Sequence, residues 1–294
     1  MLTNKFKINY SIGSVANGIK TDTFTFFLLF FYSNIIGLNP GLAGLAIFIA
    51  LCVDAITDPL MGTISDRTNS KYGRRHPYMM ISFIPMSLGY ILLFAPRQDW
   101  DMSQNDLFVW MTLFTVLTRI GMTLFDIPHR AFGGEVTKDY EERTLLMSWR
   151  EMIGWVAGLS NAFLGYGIFF ASTPEYPQGQ LNPDAWFPFA LTGAVFMIAT
   201  VLYSSFSTKD DIKGLSKWNG NISLNEILSE LKIAVTNKAF LIFFFGNLFL
   251  SLAWGLANTL TLFVNTYFWE FEATQIKYFL PIYLIGTLLA FYIT

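Results

Sequence analysis

The sequence predicts an all-α polytopic membrane protein, on three observations. The chain is 53% hydrophobic and only 14% charged, whereas soluble domains carry about a quarter charged residues. Its apolar residues fall in blocks of roughly twenty, the length that crosses about 30 Å of hydrocarbon as helix. Turn-forming residues punctuate the blocks at Asn39-Pro40-Gly41, from Gly73 to Pro77, at Pro96 and between Pro174 and Pro183.

Eight spans are expected, near 11–36, 41–65, 78–96, 105–128, 146–170, 185–207, 239–266 and 275–294. Lys5 and Lys7 precede the first, which is longer than a signal-peptide core and is read as an uncleaved transmembrane helix. Cys52 is the single cysteine; it excludes an intrachain disulfide and is expected as a small packed hydrophobe. Trp100, Trp186 and Trp269 lie near span ends, where indoles suit the membrane interface.

Orientation follows from the basic residues. The N-terminus and alternate loops carry fifteen of the 19 Lys and Arg, including Arg67, Lys71, Arg74, Arg75, Arg130, Lys138, Arg143 and Arg150. This bias puts the N-terminus in the cytoplasm of a multi-pass cell-membrane protein. The net charge of −2 gives no reason to expect nucleic acid.

Residues 208–238 break the rhythm. This stretch is polar and holds Ser223-Leu-Asn-Glu226, a capping-box pattern, followed by Leu224, Ile227, Leu228 and Leu231 at helical spacing. It reads as a cytoplasmic linker with an amphipathic helix. The expected organisation is a six-helix bundle over 1–207, the linker, and two helices of an incomplete second bundle over 239–294. Thr294 falls inside an apolar run, so the chain is expected to be a fragment lacking about four helices.

Charges at bilayer depth are costly and mark candidate sites. Asp54 and Asp58 share one helix face, roughly 18 and 12 Å inside from Asp66 at 1.5 Å per residue. They repel unless a cation, Lys or Arg lies between them. Thr57 adjoins them, and hard oxygens of this kind suit Na⁺ or a carried proton. The fourth span bears a stripe of Thr112, Thr115, Arg119, Thr123 and Asp126. Asp126 lies level with Arg150, so an ion pair or joint use on a hydroxylated solute is expected. Asn17, Lys20 and Asp22 are the polar residues of the first span, with Lys20 and Asp22 pointing to different sides. The seventh carries Asn247, Ser251, Trp254, Asn258, Thr261 and Asn265, read equally as interhelical bonding or solute contact. His76 and His129 sit at loop edges with no partner set for a metal. No catalytic constellation assembles, so neither enzyme activity nor a cofactor is expected.

Gly62-Thr-Ile-Ser-Asp66-Arg67 followed by Gly73-Arg-Arg resembles the loop between helices 2 and 3 of the major facilitator superfamily. Asp54-x-x-x-Asp58-Pro59-x-x-Gly62, Tyr72-Gly-Arg-Arg-His-Pro77, Phe125-Asp126-Ile-Pro128 and Glu135-Val-Thr-x-Asp-Tyr-x-Glu-Arg143 resemble, more narrowly, its glycoside-pentoside-hexuronide:cation symporters. The resemblance implies a twelve-helix carrier working by alternating access. It implies a cation site of Asp54, Thr57, Asp58 and Thr123, and a solute site that includes Asp126 and Arg150. Asn17, Lys20, Asp22 and Arg119 join the solute candidates, and Asp66, Arg67, Arg74 and Arg75 form a gating loop. Three positions depart from the family's galactoside carriers: Asn17-Gly18 replaces a Lys-Asp pair, and Arg130 replaces an aromatic residue. An Arg there suits an acidic solute or a gating ion pair.

The expected function is symport of a small polar solute, a sugar, glycoside or sugar acid, with H⁺ or Na⁺. The alternatives are a lysolipid-like cargo on the same fold, or a truncated protein that does not transport. The Phe-rich stretch from Phe24 to Phe31 bears on the lipid alternative, and lipid-facing Phe is its plainer explanation.

Overall fold

Backbone groups at bilayer depth must be satisfied within the segment, and the chain accordingly folds as helices. The computed structural model describes residues 2–209 and 236–293, and no β-strand occurs among them. The expected amphipathic helix at 223–231 lies outside the described residues.

Helix starts are written locally. Thr3 caps α1 (Asn4–Ser11) by accepting from the Phe6 N–H. The Asn39 side chain accepts from Gly41 ahead of α4 (Pro40–Arg67), with Pro at the first helical position. Ser103 and Asp106 form a reciprocal capping box on α7 (Gln104–Glu135). Asp139 accepts from the Glu142 N–H at the start of α8 (Tyr140–Leu164). Gly37, at φ 86°, supplies the left-handed residue that ends the first span.

Among the described residues, six helical segments are long and apolar enough to cross a membrane: Pro40–Arg67, His76–Leu93, Gln104–Glu135, Tyr140–Phe169, Pro183–Ser207 and Lys238–Phe268. The first expected span is helical but not one regular helix. After α2 (Ser14–Asp22) it widens into π-turns at Thr23–Phe27 and Phe31–Ile36, on either side of α3 (Leu28–Phe30). Further π-turns occur at Gly165–Phe169 and Val264–Phe268. The remaining α-helices among the described residues are α5 (His76–Ile81), α6 (Phe83–Leu93), α9 (Trp186–Ser207), α10 (Lys238–Phe263), α11 (Ala273–Ile276) and α12 (Leu280–Ile293).

Small residues set how the helices meet, since lipid supplies no hydrophobic drive for their association. A Cβ on Gly18 of α2 would overlap the Gly154 carbonyl of α8, and one on Gly158 would overlap the Asp22 carboxyl. At the α6–α7 contact, a Cβ on Gly89 would lie 2.6 Å from the Thr118 hydroxyl. The first span is therefore central, packed against α8 and α9.

An aromatic core fills the end away from the Arg67–Arg75 loop. Trp186 is fully buried, 4.7 Å from Phe170 and 5.3 Å from Phe31 between ring centroids, and its Nε1 donates to the Gln180 carbonyl at 3.2 Å. Trp186 is thus a core residue rather than an interface anchor, while Trp100 and Trp269 stay exposed. Phe24, Phe27, Phe30 and Phe31 are buried too. They fill the bundle interior and do not face lipid, because a central helix has neighbours on several sides. Cys52 departs from expectation in the opposite sense: it is exposed, on the outer side of α4 with Leu51, Ile56 and Leu60.

Candidate functional site

The Asp54 and Asp58 spacing puts both carboxyls on the face of α4 that meets α7. The stripe on α7 answers them in register. Arg119 Nη1 donates to Asp54 Oδ2, and the Thr123 hydroxyl donates to Asp58 Oδ1 at 2.6 Å. Arg119, expected with the solute residues, therefore lies in the carboxylate pair's own site. A positive group beside Asp54 relieves the repulsion that the i,i+4 pair would suffer alone. Asp54 Oδ1, Thr57 Oγ1 and Arg119 Nε are each buried without a hydrogen-bond partner. Orphaned oxygens of this kind are unusual in folded proteins, and two hard oxygens on one helix face fit a small cation or a proton.

A second cluster lies further along α7. Arg150 is 1% exposed and donates to Asp126 and Glu151 and, at 3.4 Å, to His129 Nδ1. Arg130 Nε donates to the other Asp126 oxygen at 2.7 Å. His129 is not at a loop edge: it is fully buried and stacked 4.1 Å from the Tyr10 ring. Its Nε2 lies 3.0 Å from the Tyr10 carbonyl, so Nε2 carries the proton and Nδ1 is free to accept from Arg150. His76 is buried as well, with Nε2 3.1 Å from the Thr208 hydroxyl.

Lys20 connects the two clusters electrostatically, lying in the field of Arg119, Asp54, Asp58 and Asp126. It makes no salt bridge among the described residues. Asp22 does not join them. It is 5% exposed and packed on Gly158, with Oδ2 unpartnered, because two residues along a helix turn the side chain by about 200°. Asn17 accepts from Thr21 at 3.3 Å on its own helix.

The loop residues form a third set. Arg75 is 5% exposed, and its Nη2 lies 2.6 Å from Asp66 and 2.8 Å from Glu135. Arg74 also pairs with Glu135, and Arg67 has a partner of its own. These pairs tie the ends of α4 and α7 to the start of α5, all inside one bundle. Sequence reasoning did not give Glu135 or Glu151 a role; Glu135 opens a quoted motif and Glu151 follows Arg150, but nothing in their spacing names a partner.

A cavity of about 1020 Å³ opens between α8, α10 and α12, with Met152, Trp155 and Leu159 on one wall and Phe279 and Tyr283 on another. It meets the second cluster at Glu151. Trp254, Asn258, Thr261 and Asn265 of the seventh-span stripe line it, while Asn247 and Asn258 also bond to carbonyls one turn back, at 3.0 and 2.7 Å. No interhelical bond is made by those two amides among the described residues.

Residues 9–294 match the family described as MFS/sugar transport protein. The inner membrane symporter YicJ of Escherichia coli is 31% identical over 164 residues, 56% of this chain and 35% of that protein. The putative glycoside/cation symporter YagG of the same organism is 31% identical over 206 residues, 60% of this chain and 44% of its own. The sodium-dependent lysophosphatidylcholine symporter 1-A of Danio rerio is 30% identical over 179 residues, 59% and 32% respectively. The chain therefore covers less than half the length of each of these relatives. With nearly all of its residues matched, and apolar helices carrying paired carboxylates at bilayer depth, the chain belongs to the MFS/sugar transport protein family.

Proposed function

We propose that this protein is a cation-coupled symporter of a small polar solute, a sugar, glycoside or sugar acid. The observation that carries this reading is the α4–α7 site, where Asp54 and Thr57 keep buried oxygens without partners beside Asp58. The cation is Na⁺ or H⁺, held by Asp54, Thr57, Asp58 and Thr123. Asp126, Arg150 and Lys20 meet the solute, with Arg130 and Glu151 completing their network. Cation binding orders α4 against α7, and the bundles rock about this midplane site. The Asp66, Arg74, Arg75 and Glu135 staple keeps the basic end of the bundle rigid during that motion, with Arg67 beside it. The N-terminus and the basic loops face the cytoplasm, in line with the Lys and Arg bias; a reporter fused to the N-terminus is expected to be shielded in intact cells.

The test is uptake into proteoliposomes with imposed Na⁺ or H⁺ gradients. Asp58→Asn is expected to remove gradient-driven accumulation, a loss of at least about tenfold, while the protein still inserts. Accumulation that is unchanged in both Asp54→Asn and Asp58→Asn would sink the assignment.

The cavity supports a second reading with a different cargo. Its walls beyond Glu151 and Arg143 are largely aromatic and aliphatic, which suits an amphipathic lipid, and one relative is named for lysophosphatidylcholine. Competition separates the two readings. Under the first, micromolar lysophosphatidylcholine leaves glycoside or uronate uptake intact; under the second, it blocks uptake and is itself accumulated.

A further inference from the structure

In the carboxylate pair's site a resident positive group already occupies the place of a cation. Arg119 Nη1 bonds one oxygen of Asp54, and the other oxygen is buried and unpartnered, as are Thr57 Oγ1 and Arg119 Nε. Among the described residues, the guanidinium is not locked by a second carboxylate. The Phe24 ring lies against it, 5.5 Å from Cζ to centroid, a contact that tolerates sliding. The arginine therefore satisfies half of Asp54 and leaves half of itself unsatisfied, an arrangement suited to exchanging partners.

Charge balance says what the exchange requires. Within the two clusters the cationic side chains are Lys20, Arg119, Arg130 and Arg150, and the carboxylates are Asp54, Asp58, Asp126 and Glu151. They are equal in number. Asp22 faces away onto Gly158, and the further charged residue lining the cavity, Arg143, lies outside the two clusters with its Nη2 donating to the Thr137 carbonyl at 3.2 Å. One added monovalent cation leaves the clusters with an excess positive charge at bilayer depth, where a net charge is costly. A neutral solute does nothing to remove it; a solute with one negative charge does.

We propose that Arg119 is a tethered counter-cation that yields Asp54 to the coupling ion and then takes up the negative group of a monoanionic solute. The inference rests on the symport reading of the same site. It gives coupling a physical form: without the ion, Arg119 is held by Asp54 and the solute lacks its partner. Once the ion is bound, Nη1 of Arg119 is released and, with Nη2, forms a fork that matches a carboxylate. The solute in turn removes the competitor for Asp54, so each ligand tightens the other, as linkage demands.

The test uses the protein in proteoliposomes with D-glucuronate as the charged probe and methyl D-glucoside as the neutral one. In the wild type, the driving ion is expected to tighten glucuronate binding by about tenfold and leave methyl glucoside unaffected. Arg119→Gln is expected to lower the half-activating ion concentration about tenfold, since the competitor is gone, and to raise half-saturation for glucuronate by a similar factor. Arg119→Lys should keep the competition for Asp54 but lose the bidentate grip on glucuronate. A purely structural arginine predicts that ion and solute affinity weaken together, and that result overturns the proposal. So does equal, ion-linked binding of both probes by the wild type, a measurement that stands even if the Gln variant does not fold. Uptake indifferent to both Na⁺ and H⁺ gradients instead overturns the symport reading beneath it, whereas ion-driven uptake insensitive to Arg119 overturns only this inference.

Discussion

Arg150→Met is expected to unfold the bundle more readily than any exposed substitution and to abolish uptake. Arg150 is 1% exposed and serves Asp126, Glu151 and His129 at once. Methionine fills similar volume but takes one of two guanidinium partners from a buried carboxylate, and breaking a buried pair from one side costs about 3–5 kcal/mol. Arg130, bonded at 2.7 Å to the second Asp126 oxygen, should hold the loss towards the lower end. The measurement is the thermal midpoint in detergent beside uptake. The double variant Arg150→Met with Asp126→Leu removes both charges, and should recover most of the stability while transport stays lost. If Arg150→Met alone matches the wild type in its midpoint, the network contributes no stability and the argument fails.

Gly18→Ala is the second large effect. The new methyl would meet the Gly154 carbonyl, which is backbone and cannot rotate away. Spans one and five must then move apart, taking Ser14 off the Arg150 carbonyl, which its Oγ bonds at 2.6 Å. Overpacking costs about 1–3 kcal/mol, occasionally more, and the displaced hydrogen bond adds about 1 kcal/mol. Gly158→Ala presses mainly on the Asp22 carboxyl, a side chain with some freedom to yield, and more lightly, at 2.9 Å, on the Gly18 carbonyl, and should cost less. Gly44→Ala is the control: it meets nothing within 4 Å and should hold or slightly raise stability through helix propensity. Equal midpoints for the Gly18 and Gly44 variants would show that the close approach is unimportant.

The sites of these two effects differed in how well the sequence disclosed them. Spans were legible because apolar length and turn punctuation are local properties, and five of the expected spans coincide with long apolar helices starting at Pro40, His76, Gln104, Tyr140 and Pro183. The seventh, from Lys238, does so as well. The first was harder, since two π-turns shift the side-chain register within it, and hydrophobic periodicity carries no sign of them. The aromatic residues misled for a related reason. Trp186 lies at a span end and the Phe24–Phe31 stretch is apolar, both consistent with membrane contact, yet all but the partly exposed Phe26 among the aromatics are buried. Burial against a neighbouring helix and burial in lipid select the same residue types.

The sequence by itself determined the class of protein, the order of its spans, and which ionisable groups lie at bilayer depth. Those follow from composition and from a fixed rise per residue, so Asp54, Asp58, Arg119, Asp126 and Arg150 could be singled out and ranked by depth. Only the tertiary structure decided who faces whom. It set Arg119 on Asp54, turned Asp22 onto Gly158, and buried His129 beneath Arg150. Helix periodicity fixes the angle between residues on one helix, but rotation of that helix against its neighbour depends on the packing of small residues such as Gly18 and Gly154, drawn from spans far apart in the chain.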